Sequence, residues 1–305
     1  MPNRKTGNEQ PMSNNPLGKQ TPYPNSYAPD VLCPIPRSLA RQQLGIGQSS
    51  QGQKTQRTGQ AEQPTQTEQP QPPMHGLDHW HAYELSWLTP SGRPAVAIAE
   101  FFFNANSENL IESKSLKLYL NSLNNEVYAN TDEVTKVITQ DLSHTSAAPV
   151  KVQLNNLTPQ TPPPPITRRG QNLDELEPHA NENDTPAASL VLTEDKAKDL
   201  VLYSDLFKSN CPVTGQPDWA SVKIRYSGSR IDESTLLAYL LSYRNHRAYH
   251  EACGEQIFHD LYKTCRPTHL WLALNFLRRG GLDINVYRST EPITPDMLQP
   301  RLARQ

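Results

Sequence analysis

The chain has 305 residues with 29 Lys and Arg against 31 Asp and Glu, a formal charge of -2, so the broad phosphate-neutralising surface of a nucleic-acid binder is not expected. Four cysteines (Cys33, Cys211, Cys253, Cys265) without a C-x-x-C pair argue against a disulfide framework and for a reducing, cytoplasmic setting. The polar N-terminus and the lack of an apolar run near 18 residues exclude a secretory signal and a spanning helix, so no membrane partner is expected.

Residues 1–75 read as a leader or tail. Residues 1–73 hold 12 Pro and 13 Gln, and no Phe, Tyr or Trp occurs between Tyr27 and Trp80, too little apolar surface to offset ordering entropy. Aromatic density rises at His79-Trp80-His81-Ala82-Tyr83, the first globular boundary, and a first module is placed at 76–155. In it, Ala95 to Phe103 is strand-like, and Leu116, Tyr119, Leu120 and Leu123 recur at helical spacing. Val134, Val137, Ile138 and Leu142 repeat that spacing, with Asn130 and Glu133 as a cap, and Val150 to Leu154 alternate like a strand. The prolines of 159–165 and the acidic stretch 174–186 break periodicity, so 156–189 reads as a linker or insertion.

A second module is placed at 190–305. Val222, Ile224 and Tyr226 share a strand face, Asp232 caps a helix carrying Leu236, Leu240 and Tyr243, Tyr249 to Thr264 is a second helix, and Leu270, Leu272, Leu274 and Phe276 share a face of a closing strand. The first helices align at an offset of 120, with Leu116 opposite Leu236, Tyr119 opposite Tyr239, Leu120 opposite Leu240 and Ser122 opposite Ser242, which points to internal duplication. The expected class is α+β: antiparallel strands with a helix pair on one face in each half, and a cleft between the halves.

Two segments carry candidate chemistry. Cys211, on a polar loop braced by Pro212 and Pro217, is either an exposed nucleophile or a buried structural thiol. Asp218, beside Trp219, is either a proton donor in a closed site or a turn aspartate. Glu112, at the start of a helix, either complements the helix dipole or accepts from a ligand's N–H groups. Lys114 and Lys117 form a solvated pair or a phosphate site, and Arg278-Arg279-Gly280-Gly281 an anion site or a strand-end turn. His250 and Cys253 are two metal ligands at most, short of a closed zinc site, and no metal is expected. Neither G-x-G-x-x-G nor a P-loop is present.

The segments Glu112-Ser113-Lys114-Ser115-Leu116-Lys117-Leu118-Tyr119, Ser209-Asn210-Cys211-Pro212-Val213-Thr214, Gln216-Pro217-Asp218-Trp219, His250-Glu251, Arg278 to Asn285 and Pro36-Arg37-Ser38-Leu39 resemble the QueF family of NADPH-dependent 7-cyano-7-deazaguanine reductases of queuosine biosynthesis. The resemblance implies two tandem tunnelling-fold modules working as a homodimer, with part of the leader, about 17–46, docked on them. It implies that Cys211 attacks the nitrile to form a thioimide, that Asp218 donates a proton, and that two NADPH deliver hydride. Ile111, Glu112, Ser113, His250 and Glu251 would bind the substrate 7-cyano-7-deazaguanine, and Ser113, Lys114, Arg279 and Gly280 would contact NADPH. Tyr249 stands where the family usually has Phe, and Gln48 to Pro73 and Pro162 to Pro165 are insertions relative to it. The rivals are a zinc-dependent cyclohydrolase of the same fold, with metal on Cys211, His250 or Cys253, and a purine-binding module without catalysis.

Overall fold

A computed structural model describes residues 22–45, 73–157, 168–179 and 189–305. In chain order the elements are β1 (Pro34–Pro36), α1 (Arg37–Gln43), β2 (His75–Leu88), β3 (Pro94–Asn104), β4 (Asn109–Ile111), α2 (Ser113–Ser122), α3 (Thr131–Ser146), β5 (Val150–Asn156), β6 (Gln171–Asn172), β7 (Leu192–Ser204), β8 (Lys208–Asn210), β9 (Pro217–Ile231), α4 (Glu233–Ser242), α5 (His250–Cys265), β10 (His269–Phe276) and β11 (Leu282–Ser289). The Gln-rich stretch Gln48 to Pro72 and the tract Pro162 to Pro165 lie outside the described residues.

One mixed sheet, ordered β5-β3-β2-β11-β10-β9-β7-β6 with β8 paired to β9, runs through both sequence halves. Every pairing in it is antiparallel except β6 with β7. The halves meet where β2 pairs β11, Trp80 lying opposite Ile284. Trp80, Phe101, Ile224, Leu272, Leu274 and Val286 bury against the apolar faces of the helices. The central strands β10 and β11 are buried on both faces, because Trp271, Ala273 and Tyr287 on the reverse face are covered by Ile293, Met297 and Leu298 of the C-terminal segment.

The repeat is physical as well as textual. α2 and α4 each have 10 residues, and α3 and α5 each have 16. Glu112 and Asp232 cap the first helix of each pair with a carboxylate that accepts from two backbone N–H groups. Tyr119 donates to Asp141, and Tyr239 to Asp260, tying first helix to second in each half. Both second helices end in a left-handed residue, Ala147 and Arg266.

Three strands depart from the sequence reading, each for a reason of composition. β2 carries His79 and His81 on its non-helical face and a bulge between Ala82 and Leu85, which breaks the alternation. β7 has an outward face of charged residues, and its register against β9 shifts twice. β11 buries Asp283, Asn285 and Arg288, so its hydropathy does not mark a strand.

The leader docks through a buried ion network. β1 pairs β4, and α1 places Arg37 on Asp78 (2.6 Å) and Arg41 on Glu255 (2.7 Å). Arg288 of β11 joins both carboxylates, at 2.7 and 3.0 Å. Burial pushes the Asp78 carboxyl up, but Arg288 and Arg37 overcome it and hold the group below the usual range; Arg41 and Arg288 do the same for Glu255. A lowered folded-state value means that this stabilisation is complete above the unfolded-state value near 4 and is lost as pH falls through the folded-state values. Asp78→Asn is therefore expected to cost about 3–5 kcal/mol in urea unfolding at pH 7, because it leaves two buried guanidiniums underpaired, and the difference from wild type should shrink at pH 3. A loss under about 1 kcal/mol would show the network to be dispensable.

Candidate active site

The loop that carries Cys211 is closed by its own backbone. β8 pairs the start of β9, with Ser209 opposite Asp218, and Cys211 N–H donates to Gln216 O while Gly215, at φ +69°, donates back to Cys211 O. Cys211 and Asp218 thus sit at the two ends of one tight loop. The segment before α5 runs along β8, with Asn210 N–H donating to His246 O and Ala248 N–H to Asn210 O. That pairing delivers Tyr249, His250 and Glu251 to the same place.

Residues from both halves and the leader complete the wall. β4 is fixed by β1, and Glu112 N–H donates to Cys33 O, which sets Ile111 and Ser113. The β10–β11 turn is closed by reciprocal bonds between Arg279 and Leu282, with Gly280 and Gly281 at φ +55° and +78° in its centre. The result is a small pocket of about 30 Å³ lined by Ile111, Ser113, Cys211, Asp218, His250, Glu251 and Arg279, with Trp80, Leu110, Pro212, Ala248, Tyr249 and Ile284. Trp80 marks a boundary and Ile284 lies in a segment of family resemblance, but neither reads as a pocket residue, since their strands are not readable in the sequence.

Inside it, Asp218 is buried and contacts the Arg279 guanidinium, with His250 Nε2 at 3.5 Å. Glu251 is 3% exposed and its Oε1 has no hydrogen-bond partner. Burial, and then the nearby Asp78 charge, push its carboxyl up. An unpartnered carboxylate oxygen at a pocket wall is an acceptor lacking a donor. The Glu112 carboxylate, fully buried, accepts from Lys114 and Ser115 N–H at 2.7 and 2.8 Å and does not line the pocket. Burial pushes the Cys253 and Cys265 thiols up to about 12, and raises Cys33 as well, so these three are not thiolates near neutrality. Cys211 is the cysteine on the pocket wall.

A second cleft, about 160 Å³, adjoins the first across Arg279-Gly280 and is lined by Glu84, Lys117, Asn121, Asn124, Gly280 and Gly281 among others. Lys117 and Glu84 pair at 3.5 Å. One ammonium, two amides and backbone at two glycines form a donor set that suits phosphate or ribose oxygens. The zinc rival's ligands, Cys211, His250 and Cys253, do not form a three-ligand group; among the described residues the group that does is His79, His81 and Glu100. No helix of the described residues is long and apolar enough to cross a membrane.

Residues 53–154 match the family model for the N-terminal part of nitrile reductase, 7-cyano-7-deazaguanine-reductase, and residues 217–294 match that for QueF-like protein. The NADPH-dependent 7-cyano-7-deazaguanine reductases of Coxiella burnetii strains Dugway 5J108-111 and RSA 331 / Henzerling II are each 45% identical over 277 residues, 90% of this chain and 91% of theirs. Archaeosine synthase QueF-Like in the apo form superposes with a TM-score of 0.28 at 18% identity, over 35% of this chain and 97% of that one. With this identity along nearly its whole length, the chain belongs to the family of NADPH-dependent 7-cyano-7-deazaguanine reductases.

Proposed function

We propose that this protein reduces the nitrile of 7-cyano-7-deazaguanine to the primary amine with two equivalents of NADPH, as a step of queuosine biosynthesis. The observation that carries the reading is the pocket where Cys211 and Asp218 stand beside a buried carboxylate oxygen of Glu251 that lacks a donor. A deazaguanine ring offers adjacent amide-like N–H and amino donors, which would satisfy that oxygen. Pairing to an otherwise unpaired buried group is what gives a site strong selectivity. Glu112, by capping α2, fixes Ile111 and Ser113 against the ring, and His250 beside Glu251 closes the pocket. The pocket is small for a bicyclic base, and Arg279, with its side chain 39% exposed, is the wall residue with room to move.

Covalent chemistry then follows from the loop. The Cys211 sulfur bonds to the nitrile carbon as one carbon–nitrogen π bond breaks, and Asp218 relays the thiol proton to the nitrogen, giving a thioimide. Asp218 also protonates nitrogen as the thioimide is reduced; loss of the Cys211 sulfur leaves an imine, and a second reduction gives the amine. NADPH, when bound, supplies the hydride for each reduction. Lys117, Arg279 and the backbone at Gly280, with Ser113 and Lys114 at the start of α2, would hold it in the second cleft. Matched helix pairs in the two halves and a continuous, almost wholly antiparallel sheet support a tandem tunnelling fold, and the outer strand β5, which among the described residues pairs with β3 alone, supports edge-to-edge assembly as a homodimer.

Mixing the protein with 7-cyano-7-deazaguanine without cofactor should add the substrate mass in intact-protein mass spectrometry. The addition should be absent from Cys211→Ala and should disappear on adding NADPH. A non-covalent binder would show no adduct in either protein.

Glu251 makes a second expectation with a defined sign. Its raised folded-state value means that ionising it costs stability at pH above that value, and that the cost vanishes below the unfolded-state value near 4.3. Glu251→Gln should therefore stabilise the ligand-free protein by about 1–3 kcal/mol at pH 8, with the gain fading toward pH 4, while base affinity falls about 10- to 100-fold. Calorimetric melting across pH and a binding titration measure both; equal stability at pH 8 would remove the argument for an unsatisfied carboxylate.

A further inference from the structure

Side chains of β2 alternate, so the two residues flanking the pocket residue Trp80 project through the sheet to its reverse face. They are His79 and His81. Opposite them on β3 is Glu100, and the three ligand atoms lie within 4.8 Å of one another. His79 Nε2 is 2.7 Å from Glu100 Oε2, and His81 Nε2 is 3.7 Å from the same oxygen.

What surrounds this trio fixes its orientation. His81 Nδ1 lies 2.7 Å from Asp283 Oδ1, and Asp283 also accepts from Tyr83 OH at 2.5 Å and from Asn285 at 2.8 Å. His81 Nδ1 thus faces the Asp283 carboxylate, which only accepts, and Nε2 is the ring nitrogen turned toward Glu100. Glu100 is held from behind by Asn155, at 2.6 Å, and the His79 ring stacks on Phe102 with centroids 4.4 Å apart. A histidine whose far nitrogen is anchored by a carboxylate is the usual outer support of a metal ligand.

We propose that His79, His81 and Glu100 bind one divalent transition ion of the zinc, cobalt or nickel class, with solvent at the open position. Two imidazoles and one carboxylate suit these ions better than Mg²⁺ or Ca²⁺, which take oxygen ligands. Bonds of about 2.0–2.2 Å place tetrahedral ligand atoms about 3.3 Å apart, so the trio needs only side-chain adjustment. The site is separate from the Cys211 pocket, since it lies on the other face of β2. It clamps β2 to β3 and, through Asp283, to β11, the seam between the sequence halves. Its role is to hold the strand that carries Trp80, not to activate water for the chemistry.

The test is a titration of chelator-stripped, full-length protein with Zn²⁺ against a chromophoric chelator, repeated with Co²⁺ and read by its visible spectrum. One equivalent per chain is expected, with no sulfur-to-cobalt charge-transfer band and with unchanged affinity in Cys211→Ala. His81→Ala and the nearly isosteric Glu100→Gln should each weaken binding by at least about 10-fold, and Asp283→Asn by about 10- to 100-fold. If His81→Ala does not fold, Glu100→Gln decides alone. Failure of wild type to compete for zinc, binding that survives these substitutions, or binding that is lost with Cys211 would overturn the proposal; a missing adduct on Cys211 would leave it untouched.

Discussion

The pocket depends on a cluster of charges that is largely shut away from solvent. Arg37, Arg41, Asp78, Glu255 and Arg288 come from α1, β2, α5 and β11, and they meet in a space where Arg288 and Asp78 are almost wholly covered. Such a cluster adds little net stability over an apolar equivalent, but it punishes any arrangement that leaves one member alone. It therefore selects one placement of α5 against β11 and one docking of the leader. Those placements fix the first turn of α5, where His250 and Glu251 stand, and β4, which ends at the pocket wall.

Duplication explains why the two halves contribute unequally. Glu112 and Asp232 keep the same capping task, and the Tyr119–Asp141 and Tyr239–Asp260 contacts keep the same helix pairing. Elsewhere they have diverged. The first half joins its two long strands by a short turn at Thr89 to Gly92, whereas the second inserts β8 and the Cys211 loop between them. At the position matching Glu251 when α3 and α5 are aligned from their first residues, the first half has the exposed Asp132. The second half lines the pocket with Cys211, Asp218, His250 and Glu251, the first with Ile111 and Ser113.

Helices and their caps were legible in the sequence because each obeys a local rule: spacing at Leu116, Tyr119 and Leu120, and a carboxylate or amide before the first turn. The placement of Cys211 and Asp218 on one loop was legible for the same reason, since the loop is short and closes on itself. Strands β2, β7 and β11 were not, because their character depends on partners far away in sequence. Arg288 reads as a surface residue until Asp78, 210 positions earlier, is placed beside it. The His79 and His81 pair reads as a boundary marker until β3 brings Glu100 across and β11 brings Asp283. Glu112 shows the converse: its motif is conspicuous, but its carboxylate serves the helix.

Net charge in the buried cluster links its architecture to the pocket. Three guanidiniums face two carboxylates there, and Arg37 Nη1 is left without a hydrogen-bond partner. Glu251, the neighbouring carboxyl whose Oε1 has no hydrogen-bond partner, feels the opposing charge of Asp78 and, against it, the favourable charges of His250 and then Arg37. His250 and Arg37 offset part of the desolvation and the Asp78 repulsion that push this carboxyl up, while its Oε1 stays without a hydrogen-bond partner. A direct salt bridge to Glu251 would make the empty fold more stable and the site less able to accept a donor. The leader matters here because Arg37 enters on α1: without it the Glu251 carboxyl, already pushed up by burial, would be pushed further toward its neutral form.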